Sequence, residues 1–267
     1  MNLTPDALSE HFQQVVNYLN SALHDGWYNP PVLAELGKCV AQVEPSSAYT
    51  ECLDKVRADF CAALLASPEF HEKLAMWDQL DPRTQQGPYL QKCADMMAGL
   101  YAKASGVTVS AGSVQYYYCD EEFASDAYVA YNRMTHLRDM DVIGINLAFP
   151  ERQKDLLSAL QTIGHEQTHL FNLSLNSAFY YRALSPEHPL YHEAVYFREE
   201  FRKGAYVSHC YGKYSPPQLN PYLLQLDERA AFRVGDGVYD TLQAAVVQGP
   251  PVRPVSLMTG ENGLYRH

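Results

Sequence analysis

His165-Glu166-Gln167-Thr168-His169 packs more potential chemistry into five residues than any other part of this chain. Residues four apart on an α-helix share a face and lie about 5–6 Å apart, so His165 and His169 can aim ring nitrogens at one tetrahedral zinc ion. Glu166 then falls beside the ion. A carboxylate there can take a proton from a zinc-held water, whose pKa drops toward about 7. Two metal ligands and one general base are expected from a single short motif.

Such a motif needs a helix to hold it. Pro150 suits a first helical position, and Glu151 and Asp155 put negative charge near the positive end of the helix dipole. Leu156, Leu160, Ile163, Leu170 and Phe171 recur at helical spacing. At about 100° per residue the two histidines lie opposite that stripe, which predicts that they face a cleft or solvent and not the packed core. The plainer alternative is a surface helix carrying solvated histidines.

Two histidines do not complete a catalytic zinc site, which has three protein ligands and an open position for water. An extended H-E-x-x-H-x-x-G-x-x-H is excluded, because Asn172 and Leu175 stand where Gly and His are required, and Cys119 lacks the E-G-C context of a thiolate ligand. A later Glu is the better candidate. The run 221–232 has helical spacing, and Glu228 is followed closely by Ala230 and Ala231, small enough to let a second helix approach.

Here the chain resembles zinc metallopeptidases of the gluzincin type, in which an E-x-x-A motif on a later helix supplies the third ligand. The resemblance implies a zincin-like α+β fold, mostly helical with a small mixed sheet beside the active-site helix. It implies Zn2+ held by His165, His169 and Glu228, with Ala231 as the small residue three on, and Glu166 as the base for hydrolysing a peptide bond. The long gap between His169 and Glu228 departs from the compact thermolysin-like members. It leaves Glu193 as a competing third ligand, followed by Asp227, His192, His209 or no ligand at all, with either Glu an ordinary helical side chain.

A narrower likeness covers about residues 107–245. A predicted strand over Asp141–Phe149 running into the motif helix is similar to metallopeptidase domains at the toxic ends of bacterial polymorphic toxins and type VI secretion effectors. This implies a secreted toxin or effector acting on a peptide or protein, with a cognate immunity protein or secretion machinery as partners.

Composition bounds these readings. At 267 residues and 47% hydrophobic, the chain can bury a sizeable core as one domain or as a helical portion plus a catalytic one. A net charge of −11 without basic clusters argues against nucleic-acid backbones and anionic membranes as partners. No apolar run reaches membrane-span length, and the segment 1–10 lacks the pattern of a signal peptide. The expectation is a protein that is cytoplasmic in its producer and exported, if at all, by a specialised machine. The six cysteines show no C-x-x-C spacing and read as reduced core thiols.

Residues 1–106 read as a helical portion. Thr4 as N-cap and Pro5 at the first position open a helix, and further helices are expected at about 31–43, 46–66, 69–79 and 88–104. This portion carries no motif. Residues 107–248 form the candidate catalytic portion, with short strands expected at 107–110, 113–118, 126–131 and 142–147. If the resemblance holds, 142–147 is the natural edge strand to align a substrate, the alternative being a strand paired on both sides.

Between the motif and Glu228, Tyr180, Tyr181, His188, Tyr191, His192, Tyr196, Tyr206, His209, Tyr211 and Tyr214 offer hydrogen-bond donors for a developing oxyanion, with no sign of which. Helices are expected over Glu187–Tyr206 and from Pro221 to near Val247, then an irregular tail, 249–267. The competing function is a non-catalytic helical adaptor or inhibitor in which the H-E-x-x-H is fortuitous.

Overall fold

The computed structural model describes residues 5–24, 29–119, 127–130, 141–148, 154–212, 215 and 217–248. Thr4, Asp126, Tyr131, Pro150, Glu151, Tyr214 and the tail 249–267, on which expectations were placed, lie outside them. The protein is α+β and mostly helical, with one small mixed sheet. Among the described residues no helix is long and apolar enough to cross a membrane.

Among the described residues five α-helices come first: α1 (Pro5–His24), α2 (Pro30–Val40), α3 (Ser47–Leu65), α4 (Pro68–Met76) and α5 (Gly87–Ser105). Their starts follow local chemistry. Asn29 caps α2 by accepting from Val32 N, Ser46 caps α3 by accepting from Tyr49 N, and proline opens α1, α2 and α4. Gly106, at φ +71°, closes α5 in the left-handed conformation that side chains disfavour.

The sheet holds β1 (Ser113–Tyr117), β2 (Ala127–Ala130) and β3 (Val142–Asn146) in the order β1-β3-β2. β1 pairs with β3 in parallel, Ser113 opposite Val142, and β2 pairs with it antiparallel, Ala127 opposite Ile145. This corrects the expectation that 142–147 is an edge. Residues Ile143 to Asn146 are all buried, and a strand buried on both faces belongs in the middle of a sheet. The run 107–110 forms no strand. It is a link to Gly112, whose φ of +59° and approach to Leu170, 2.6 Å from where a β-carbon would stand, require glycine.

The second half adds α6 (Leu156–Tyr180), α7 (Tyr191–Lys203), the short α8 (His209–Gly212) and α9 (Pro221–Leu224), and α10 (Leu226–Gln248). Asp155 is the N-cap of α6, accepting from Ser158 N at 2.8 Å, so its negative charge stands at the positive end of the helix dipole as expected, while the helix opens after the expected start at Pro150. α7 is shorter than the predicted Glu187–Tyr206 helix at both ends: it starts at Tyr191, and Gly204, at φ +63°, ends it after Lys203. The single helix expected from Pro221 breaks at Gln225, whose extended backbone (ψ 149°) separates α9 from α10.

α6 is the central element, packed by α5, α7, α10 and the sheet. One apolar core extends from Leu8 of α1 through α3, α5 and α6 to Leu242 of α10. The change in composition at residues 106–107 is therefore not a break in packing. Cys39, Cys52, Cys61 and Cys93 are buried free thiols within this core, and Cys119 is a half-buried one.

Candidate metal centre

α6 and α10 run antiparallel. At one end Gln161 Nε2 donates to Asp236 Oδ1 at 2.8 Å, and at the other Asn172 and His169 meet Asp227. Two glycines set how close the helices come. A β-carbon on Gly235 would lie 2.9 Å from the Gln161 carbonyl oxygen and 3.2 Å from His165 Cβ, while one on Gly164 would meet Gly235 Cα at 3.4 Å. At Gly235 the obstacle is largely backbone, so the crossing needs glycine there, while a β-carbon at Gly164 would make ordinary van der Waals contact. The crossing brings α10 down onto the face that carries the histidines.

Of the two settings the apolar stripe predicted, a cleft or solvent, that face does not have the second, and it is largely covered. The side chains of His165 and His169 are only 14% and 13% exposed, since the buried surface of α6 includes Glu166, Gln167, Thr168 and Asn172 as well as the stripe. A periodicity argument assumes one covered face, and a helix at the centre of a fold is covered on several.

His165 and His169 point Nε2 at one another, 3.1 Å apart. His165 Nε2 lies 3.4 Å from Glu228 Oε2, and His169 Nε2 lies 3.4 Å from Glu228 Oε1. One ligand atom from each of the three residues falls within 4.8 Å of the others. Ligand atoms around a tetrahedral zinc, each about 2.0–2.1 Å from the ion, sit about 3.3 Å from one another. Glu228 is fully buried, and its Oε2 has no hydrogen-bond partner among the described residues. Two imidazoles and a carboxylate with an unsatisfied oxygen fit a divalent ion of zinc's preferences.

Electrostatics follow the geometry. Burial works against a charged His169, yet Asp227 and Glu228, with a smaller contribution from Glu166, hold its ring at about 10 in the metal-free protein. Burial likewise opposes ionisation of Glu228, but the His169 charge and the His165 ring hold it down at about 2. The cluster thus favours opposite charges on its carboxylate and its imidazole.

Around the three residues stands a layer of polar partners. Asp227 Oδ2 is 2.9 Å from His169 Nδ1, so the ring donates there and keeps Nε2 for the cluster. The Tyr206 hydroxyl donates to Glu228 Oε1 at 2.6 Å. Gln225 clamps the neighbouring backbone: Val207 N donates to its Oε1 at 3.0 Å, and its Nε2 donates to Val207 O at 2.8 Å. The break between α9 and α10 thereby holds Tyr206 over Glu228. The Phe232 ring packs edge-on against His165 at 4.6 Å.

The other candidates lie elsewhere. Glu166 is buried on α6 next to His165, 6% exposed. Glu193 is fully buried on α7, and its Oε1 accepts from Ser46 N at 2.7 Å, at the start of α3. Asp227 touches the far nitrogen of His169, not the side that faces Glu228. His209 packs against Tyr222, and neither it nor His192 belongs to the His165–His169–Glu228 group. Asn172 entered the sequence argument only as a departure from a motif, yet its Nδ2 donates to Asp227 Oδ1 at 2.5 Å. Gln225 carried no sequence signal. Gly164 and Gly235 did carry one, because an isolated glycine inside a helical pattern marks close packing.

Fold and site together define a mostly helical α+β protein with a buried His–His–Glu cluster between two antiparallel helices. Compared with protein-family models, curated proteins and solved structures, the chain matches none.

Proposed function

We propose that this chain is a zinc-dependent hydrolase of zincin-like organisation that cleaves peptide bonds. The observation that carries the reading is the convergence of His165 Nε2, His169 Nε2 and the buried Glu228 carboxylate at spacings of 3.1 and 3.4 Å. These three residues would hold the ion, which supplies Lewis acidity toward a water and toward the scissile carbonyl. Glu166 takes the proton of the attacking water and passes it to the leaving amine. Tyr206, a residue 45% exposed whose hydroxyl reaches the cluster, shifts its single donor from Glu228 to the charge that develops on the carbonyl oxygen.

With β3 internal, the strand left among the described residues to align an extended peptide is β2, because Gln91 Oε1 of α5 takes up Val114 N on the outer side of β1. The pattern shared with toxin-domain metallopeptidases supports a delivered effector as the setting, with an immunity protein or secretion machinery as its partners.

Zinc per chain, measured by mass spectrometry on the wild type and on His169→Ala, tests the site. About one zinc in the wild type and none in the variant is expected. Glu166→Gln is expected to keep the metal and lose about 10²–10⁴-fold in turnover of a peptide library. No zinc in the wild type after reconstitution would remove the enzyme and leave the interaction protein.

A further inference from the structure

Tyr49 lies in the first turn of α3, remote in sequence from the motif, yet its hydroxyl donates to Asn172 Oδ1 at 2.6 Å. Asn172 Nδ2 donates onward to Asp227 Oδ1 at 2.5 Å, and Asp227 Oδ2 meets His169 Nδ1 at 2.9 Å. Each link sets the direction of the next. A side-chain amide has its acceptor on one arm and its donors on the other, so a hydroxyl held to the oxygen turns the NH2 toward Asp227. The carboxylate, satisfied on one oxygen, offers the other to Nδ1–H, which leaves Nε2 facing Glu228 and His165.

We propose that Tyr49 is a positioning residue of the metal centre, setting the orientation of His169 through Asn172 and Asp227. The inference rests on the metal-site reading above.

The surroundings of Tyr49 suit that task. It is fully buried, stacked on Phe171 at 6.1 Å and tilted against Phe197 at 6.1 Å. Its backbone N donates to Ser46 Oγ at 3.1 Å, and Ser46 N is held by Glu193. Arg229, the residue after Glu228, donates to Val43 O and to Glu44 Oε2. The turn that delivers Tyr49 is therefore tied to α7 and to α10, and Glu193 serves the centre as a clamp. Burial and the charge of Asp227 keep the hydroxyl protonated and so a donor.

Tyr101 is a control built into the same core. It is also fully buried and stacked on Phe171, at 4.3 Å, and its hydroxyl also bonds a side chain of α6, Thr168 Oγ1 at 2.8 Å. Thr168 Oγ1 turns back to Gly164 O, not toward His169 Nδ1. Zinc affinity, read by competition with a chromophoric chelator, is compared for the wild type, Tyr49→Phe and Tyr101→Phe, beside thermal unfolding of the metal-free forms. Tyr49→Phe is expected to weaken zinc binding by about 10–100-fold, and Tyr101→Phe to leave it unchanged, although both lower the unfolding temperature. Equal zinc losses, or none in either, would reduce Tyr49 to packing and overturn the proposal.

A wild type without zinc would overturn the metal-site reading itself. The role of Tyr49 toward His169 is then read in metal-free protein labelled with 15N-histidine. A His169 Nδ1–H signal displaced by Tyr49→Phe but not by Tyr101→Phe upholds that role; an unmoved signal ends it.

Discussion

α10 bears charged side chains on two sides, and the two sides behave differently. Outward, Arg233 pairs with Asp54 of α3, NH2 to Oδ2 at 2.6 Å, with side chains 46% and 36% exposed. Inward, Glu228 meets His165 and His169 with no exposure of its own and 14% and 13% on the rings. Water screens the outer pair and would serve either partner alone, so it contributes between zero and about 1 kcal/mol. The inner carboxylate has no such recourse. Losing a partner from a buried ionic group costs about 3–5 kcal/mol, because the remaining charge stays uncompensated. The same helix and the same kinds of group thus give a screened surface pair on one side and a buried carboxylate that depends on its positive partner on the other.

The largest expected effect comes from pushing the inner side apart. Gly235→Leu places a side chain against the Gln161 carbonyl and His165 Cβ, so α10 must move away, at a cost of about 1–3 kcal/mol or more and with loss of bound zinc. Thermal unfolding and metal analysis check this together. A variant that keeps both stability and zinc would break the link between helix approach and the centre.

Glu228→Ala should come next, abolishing stoichiometric zinc and leaving His169 with Asp227 as its nearest negative partner. Full zinc occupancy in this variant would return the third-ligand role to another residue.

The pH dependence of the metal-free protein sharpens the contrast further. A ring held at about 10 in place of its ordinary 6.5 contributes stability that is complete below 6.5 and lost as pH rises through 10. A carboxyl held at about 2 in place of 4.5 contributes stability that is complete above 4.5 and lost as pH falls through 2. For this pair, metal-free stability should be greatest between pH 4.5 and 6.5. Zinc should reverse the alkaline limb, since binding needs a deprotonated ring and releases its proton. Denaturant melts across pH, with and without a chelator, test both limbs.

The smallest effect belongs to the outer pair. Arg233→Ala is expected to cost at most about 1 kcal/mol, less at high salt, and to leave zinc binding unchanged. Chemical denaturation at two ionic strengths measures it.

Helices in the first half were legible because their signals are local. Pro5, Ser46, Pro68 and Gly106 stand where a helix starts or stops, whatever the chain does elsewhere. The strands 113–117, 127–130 and 142–146 were legible as strands, but the order β1-β3-β2 was not, since pairing partners are chosen across the fold. The break at Gln225 has no local signal for a similar reason. Its cause is a clamp on Val207, a residue in a different segment.

The candidate site divides along the same line. By itself the sequence determined that His165 and His169 can share a target with Glu166 beside them, because i,i+4 spacing on a helix is set by backbone geometry alone. It also narrowed the third ligand to a few candidates. Only the tertiary structure decided that Glu228 faces both rings, that Asp227 holds His169 from behind, and that Tyr206 and Tyr49 reach this place from α8's approach and from α3. Those meetings depend on how closely α6 and α10 cross at Gly164 and Gly235, a distance that packing between helices sets and local pattern does not.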